Sequence, residues 1–403
     1  VTVPRALIVG GSVGGLFAAH LLRQIGWDVL VFERTGDDLA GRGAGIGTQD
    51  PLHEIMQRIG LRDDETMAVA THACACVDRE GSVLYDLKLR RITSAWARFY
   101  RPLKDALADA LYRPGWKLEG VEQTGRGVTA VFADGARITG DLLIAADGIR
   151  STVRSRLLPE LQPSYVGYVG WRALTPEPSV PPALRAEMFE RYTFCLPDGE
   201  LVVAYPVPAF DGDTRPGHRA FNLVWYRAAD AETLADLCTD ASGRRHDGSI
   251  PPPLIRPELV AEMKTAGRAR LAPHLADILD RADQPIFHPI YELESPQLVF
   301  GRVALLGDAA FVARPHGGAG VTKAALDAAA LADGLAAADG DIDDGLARYE
   351  RTQRKLGEWI VGRGRHLGGY VSARVRPPDI LVRDYNATNA ELNEFLARAR
   401  TGR

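Results

Sequence analysis

The sequence predicts an α/β protein: a Rossmann-like βαβ domain, an inserted antiparallel-sheet domain and a C-terminal helical segment. Three observations predict it. An apolar run at residues 6–10 ends in glycines, and a helical pattern and a second apolar run follow within roughly thirty residues. Strand-like alternation crowds residues 164–228. A late apolar run at 302–306 feeds a glycine turn and a long helical stretch.

The first strand is ALIVG. Leu16, Ala19 and Leu22 then recur at helical spacing, and Gly26 supplies a C-terminal stop. Val29 to Phe32 forms the next strand and ends at Glu33. Strand, glycine turn, helix and strand make a unit whose crossover is right-handed. Residues 52–60 and 102–112 read as helices. Residues 71–90 read as a hairpin around Glu80-Gly81, and 127–146 as a second around Asp134-Gly135. Asp198-Gly199 makes a two-residue turn inside the 164–228 stretch. Prolines break the chain at 250–253, 254–283 reads as helical, and 302–306 reads as a buried strand. Helical patterns cover 320–337 and 343–367, and the tail after 376 is polar. There is no internal repeat.

Composition narrows the function. The chain has 403 residues, 46% hydrophobic and 25% charged, with a net charge of −4. That balance gives no reason to expect a nucleic-acid partner. No long apolar run predicts a membrane span, and no signal peptide is expected at the start. Four cysteines, Cys74, Cys76, Cys195 and Cys238, are too few for a disulfide scaffold, so a cytoplasmic setting is expected. The histidines show no HxH, HxxxH or HExxH spacing, and no metal site is expected.

Three segments carry chemistry. Gly10-Gly11-Ser12-Val13-Gly14-Gly15 follows the dinucleotide pattern, with Gly10 for the turn and Gly15 for helix packing. Ser12 takes the third position, a small residue that still admits a pyrophosphate against the helix N-terminus. Glu33, 23 residues after Gly10, is placed to accept from a ribose hydroxyl, which points to FAD or NAD. Asp147-Gly148-Ile149-Arg150-Ser151-Thr152-Val153-Arg154 follows another apolar strand; read alone, it is a helix cap with solvated arginines. Gly307-Asp308-Ala309-Ala310 follows the 302–306 strand, and Pro315 to Gly320 opens a helix whose amides can stabilise negative charge.

In this order the three segments resemble the single-component FAD-dependent aromatic hydroxylases, the family of p-hydroxybenzoate and salicylate hydroxylases. Residues 45–49, 168–174, 204–208 and 307–316 are similar to its dihydroxypyridine-hydroxylase branch. The resemblance implies FAD, NADH or NADPH, O2 and a small hydroxylated aromatic or N-heteroaromatic substrate, with oxygen passing through a flavin C4a-hydroperoxide. It implies FAD contacts at Gly10, Ser12, Val13, Gly15, Glu33, Arg34, Arg42, Gln49, Asp147, Asp308, Ala319, Gly320 and Val321. It also implies a discontinuous FAD domain (1–70, 98–163, 290–340), a substrate domain (71–97, 164–289) and a C-terminal helix and tail (341–403). A homodimer is the family's expectation. The chain departs from the family at Phe311, usually His, and at Ala319 and Thr322, often Gln and Asn. Tyr100 stands where an FAD-touching arginine is common, with Arg98 and Arg101 nearby.

His316 and Tyr205 are the candidate catalytic residues, with Tyr168, Cys195 and Tyr226 as further candidates on the sheet. The alternatives are a reductase or halogenase of the same fold, or a non-catalytic FAD-binding protein. The WxWxIP segment expected of a halogenase is absent from the sequence.

Overall fold

The computed structural model describes residues 3–39, 45–61, 67–125, 127–373 and 376–401. Its first core surrounds a six-stranded sheet in the order Val299–Phe300, Val303–Leu305, Leu142–Ala145, Arg5–Val9, Asp28–Glu33, Tyr112–Pro114. All pairs are parallel except the first, which is antiparallel. The central strands are buried on both faces, which is why they read as unbroken apolar runs. Helices Val13–Gln24 and Gly320–Ala336 pack together against this sheet. Their alanines and glycines allow the close approach: a Cβ on Gly14 would stand 3.1 Å from Leu306. A three-stranded antiparallel sheet spanning 118–140 contributes Leu118, Val128, Ala130 and Phe132 to the same core.

The second sheet has nine strands, in the order Phe311–Val312, Ile286–Glu294, Ser164–Pro176, Ala220–Ala228, Leu201–Val207, Arg191–Cys195, Ala68–Val77, Val83–Ala95, Gly45–Gly47. Strand Ile286–Glu294 runs across the expected 289/290 domain boundary. Period-two alternation divides this sheet. Val202, Ala204, Leu223 and Trp225 face helices Pro257–Arg270 and Pro273–Asp280. Val203, Tyr205, Val224 and Tyr226 face the opposite way. A bulge between Tyr165 and Val169, with Gly167 at φ +86°, leaves Tyr168 on that second face.

Three elements differ from expectation. The helix expected at 102–112 runs over Trp96–Asp105, because its buried stripe is Phe99, Tyr100 and Leu103. The 254–283 segment splits before Pro273, where the preceding residue leaves helical conformation. The tail after 376, expected only to be polar, forms a helix, Pro378–Thr401, that buries Leu381, Val382, Tyr385 and Leu392. It lies against the Tyr205 face of the nine-stranded sheet, beside helix Ile342–Gly368.

Candidate active site

Two adjoining cavities lie between the sheets, sharing Ile46, Arg172 and Asp308 as common wall. The larger, about 600 Å³, is lined by Gly10, Ser12, Glu33, Arg34 and Asp147. Gly10 sits at φ +109°, and a Cβ there would lie 2.1 Å from the Ala146 carbonyl oxygen. A Cβ on Gly15 would lie 1.9 Å from the Gly10 carbonyl oxygen, so both positions need glycine. Ser12 is the N-cap of helix Val13–Gln24, yet its side chain caps nothing, leaving the first amides free for an anion. Glu33 accepts from the Gly11 and Thr35 amides at 2.9 Å each. Each carboxylate oxygen keeps a second lone pair for a ribose hydroxyl.

Asp147 accepts from the Thr152 amide at 2.7 Å, and Ser151 accepts from Arg154 N at 2.9 Å. Both residues therefore cap helix Thr152–Leu157. Asp147 Oδ1 is buried without a hydrogen-bond partner among the described residues, at the larger cavity's wall. Arg154 corrects the expectation of solvated arginines: it is 0% exposed. It donates to Ala309 O at 3.1 Å and to Ile149 O at 2.6 Å. Arg154 thereby ties the Asp147 loop to the Asp308 turn. That turn has a second tie: Lys323 Nζ donates to Gly307 O at 3.0 Å and to Asp327 Oδ2 at 2.6 Å.

The smaller cavity, about 270 Å³, is walled by Tyr192, Tyr205, Tyr226, His316, Tyr385 and the 317–321 turn. Tyr192 and Tyr205 stack at 4.7 Å with 4° between their planes. Arg91 lies 4.0 Å over the Tyr192 ring. Gly318, at φ +64°, turns the chain into helix Gly320–Ala336, whose N-terminus carries no side-chain cap. Ala319, Gly320 and Val321 line this cavity.

His316 is held from both sides. Tyr168 Oη lies 2.7 Å from Nε2, and Tyr385 Oη lies 3.1 Å from Nδ1. Tyr385 donates its hydroxyl proton to Leu367 O at 3.1 Å, so its oxygen accepts from Nδ1–H and Nε2 accepts from Tyr168. Burial, aided by the Arg314 charge, pushes the His316 pKa down to about 3. The ring is a neutral imidazole with both nitrogens engaged. Neither nitrogen is left free to reach a substrate hydroxyl directly. Burial raises Tyr168 to about 12, and it raises Tyr192, Tyr205 and Tyr226 as well, against the opposing charges of nearby arginines. The Tyr192, Tyr205 and Tyr226 hydroxyls bond to no described residue.

The other expected residues fall as follows. Val13 and Gly15 pack in the first helix, behind the cavity wall. Gln49 donates to Gly317 O and Gly318 O at 3.5 Å and accepts from Thr322, bracing the glycine turn rather than lining either cavity. Arg42 lies outside the described residues. Cys195 faces the helix-packed side of the sheet, one residue out of phase with the cavity, and is not part of it. Phe311, the departure from the family's histidine, lines the smaller cavity and packs on Gly357, where a Cβ would stand 2.3 Å from its ring. Sequence reasoning missed Arg91, Arg172, Tyr192 and Tyr385. Only Tyr385 had a signal: Leu381, Val382, Tyr385 and Leu392 recur at helical spacing. Among the described residues no group of His, Cys, Asp and Glu could hold a metal, and no helix is long and apolar enough to cross a membrane.

An FAD binding domain model matches residues 4–167, and an FAD binding domain-like model matches 165–292. The chain is 31% identical over 362 residues to 2,6-dihydroxypyridine 3-monooxygenase of Paenarthrobacter nicotinovorans, covering 88% of each. It is 35% identical over 191 residues to 6-hydroxynicotinate 3-monooxygenase of Pseudomonas fluorescens, over 44% of this chain and 49% of that one. Its fold matches the solved 2,6-dihydroxypyridine-3-hydroxylase from Arthrobacter nicotinovorans at a TM-score of 0.86 and 28% identity, covering 92% and 93% of the two chains. The relatives are hydroxylating monooxygenases, not reductases or halogenases. With this full-length similarity, and with an uncapped helix end, two obligate glycines and Glu33 lining the larger cavity, the chain belongs to the FAD-dependent aromatic hydroxylases and is an FAD-dependent monooxygenase using NAD(P)H.

Proposed function

We propose that the chain hydroxylates an electron-rich hydroxypyridine-type ring held in the smaller cavity. The observation that carries this reading is the tyrosine-walled cavity sharing Ile46, Arg172 and Asp308 with the cofactor cavity. The two relatives, named for a dihydroxypyridine and a hydroxynicotinate, support it. Bound FAD, reduced by NADH or NADPH, supplies the activation of O2 and the oxygen transfer.

The chain's residues do the rest. Gly10, Ser12, Glu33, Arg34 and Asp147 would hold the nucleotide half, with Val13 and Gly15 shaping the helix start behind them, and Asp308 the polyol chain. The free amides at Ala319, Gly320 and Val321 would stabilise negative charge on the reduced ring system. Tyr205 meets the substrate as a hydrogen-bonding hydroxyl, since burial disfavours its tyrosinate. His316 acts through Tyr168 and Tyr385, fixing the wall against which the ring rests. Aromatic walls exclude water, which protects the reactive oxygen from wasteful loss. The discontinuous domain division, a homodimer and a cytoplasmic location belong to this reading; four free, buried cysteines support the last.

The test is NADH and NADPH oxidation by the FAD-loaded protein across hydroxypyridines and phenols, with products identified by mass. Substrate-triggered oxidation with a product one oxygen heavier is expected for a hydroxypyridine. Oxidation triggered by phenols alone overturns the hydroxypyridine assignment.

A further inference from the structure

Five cations stand in the wall of the smaller cavity: Arg91, Arg172, Arg314, Lys323 and Arg363. Three are neutralised by carboxylates outside it. Arg314 pairs with Glu292 at 3.0 Å, Lys323 with Asp327 at 2.6 Å, and Arg363 with Asp384 at 2.8 Å. Arg91 and Arg172 have no carboxylate within ion-pair distance among the described residues. The wall's one carboxylate, Asp308, stands at the junction with the cofactor cavity.

Arg91 is also held in place. Its guanidinium donates to Asn386 Oδ1 at 2.8 Å and lies on the Tyr192 ring, which itself stacks on Tyr205. Asn386 is oriented in turn, because its Nδ2 donates to Val382 O at 2.6 Å within the C-terminal helix. Asn386 is a neutral acceptor, so the positive charge of Arg91 is positioned without being cancelled. A cavity with two uncompensated guanidiniums and three tyrosine hydroxyls unpaired among the described residues is built for an anionic oxygen atom.

We propose that the cavity binds its ring substrate as an anion, with Arg91 and Arg172 as the charge partners and Asn386 as the residue that positions Arg91. This deepens the hydroxylase reading and rests on it. The anionic oxygen can belong to a ring carboxylate or to an ionised ring hydroxyl, and the two sources are separable. A guanidinium contact to an ionised oxygen outweighs one to its neutral counterpart by on the order of 10- to 100-fold in affinity.

The experiment is equilibrium binding to the oxidised, FAD-loaded protein without NAD(P)H, read from the flavin absorbance. One probe pair is 6-hydroxynicotinate against 6-hydroxynicotinamide. The other is 3,5-difluoro-4-hydroxybenzamide against its less acidic parent amide. A carboxylate site gives at least tenfold preference in the first pair; an oxyanion site gives it in the second. In either case Arg91→Gln should lower the ratio severalfold and Arg91→Gln with Arg172→Gln should bring it close to one, while Arg91→Lys should keep part of it and Asn386→Leu should lower it with FAD content unchanged. Equal binding within both pairs overturns the proposal, as does a preference that Arg91→Gln leaves unchanged. The readout needs no turnover. A protein that shows the preference but oxidises no NAD(P)H would therefore refute the hydroxylase reading alone.

Discussion

Tyr168 Oη lies 2.7 Å from Nε2 of His316, an imidazole that burial and the Arg314 charge keep neutral. The folded pKa, about 3, is below the ordinary value of 6.5. The folded state therefore binds fewer protons there than the unfolded chain between those values. The stability this group contributes is complete above pH 6.5 and is lost as pH falls toward 3, at up to about 1.4 kcal/mol per pH unit. Replacing His316 with Gln removes the titrating group. Urea unfolding between pH 4 and 6.5 should show a shallower slope for that variant than for the parent. Parallel slopes would mean that His316 carries no such linkage.

Arg154 should matter more than a helix-cap neighbour normally does. It reaches Ile149 O and Ala309 O, on the two loops that bring Asp147 and Asp308 to the cofactor cavity. Lysine has one ammonium and cannot span both carbonyls. We expect Arg154→Lys to cost about 2–4 kcal/mol and to weaken FAD retention. Thermal unfolding and released-flavin fluorescence after dilution read the two effects. Wild-type FAD retention would show that the two loops hold their positions without this link.

Gly15→Ala adds one methyl group 1.9 Å from the Gly10 carbonyl oxygen. Backbone must move, because the obstructing atom is not the end of a flexible side chain. Overpacking of this kind costs about 1–3 kcal/mol, and the movement displaces the free helix N-terminus as well. The purified variant is expected to be largely colourless, with FAD content well under half that of the parent. Full FAD content would refute the steric argument.

What was legible in the sequence follows from which interactions are local. The βαβ unit showed itself because Ala6 to Val9 are buried on both faces and Val29, Val31 and Phe32 join the same core, and because Gly10 and Gly15 are demanded by contacts a few residues away or across one strand. Asp147 and Asp308 were visible as strand-end turns, but nothing local says that Arg154 joins them across 154 residues. Arg91 and Arg172 were silent for a similar reason. Each sits in an ordinary strand, and its importance comes from the strands and the helix that close over it. The C-terminal helix was hidden by polarity: its buried stripe is narrow, and Arg383, Asp384 and Asn386 dominate the composition around Tyr385.

Lys323 and Asp327 form the most deeply buried ion pair of the site, at 1% and 2% exposure. Both also serve the Gly307 peptide: Asp327 accepts its amide at 2.9 Å while Lys323 donates to its carbonyl at 3.0 Å. Removing one charge leaves the other stranded in the core, so Lys323→Met should cost about 3–5 kcal/mol. Adding Asp327→Asn removes the stranded charge and leaves an amide oxygen to accept from Gly307 N. The double variant should therefore be more stable than Lys323→Met alone, and a double-mutant cycle by denaturant unfolding should return a coupling above about 1 kcal/mol. Additive losses would show that the two residues brace the Asp308 turn independently, each through its own contact with Gly307.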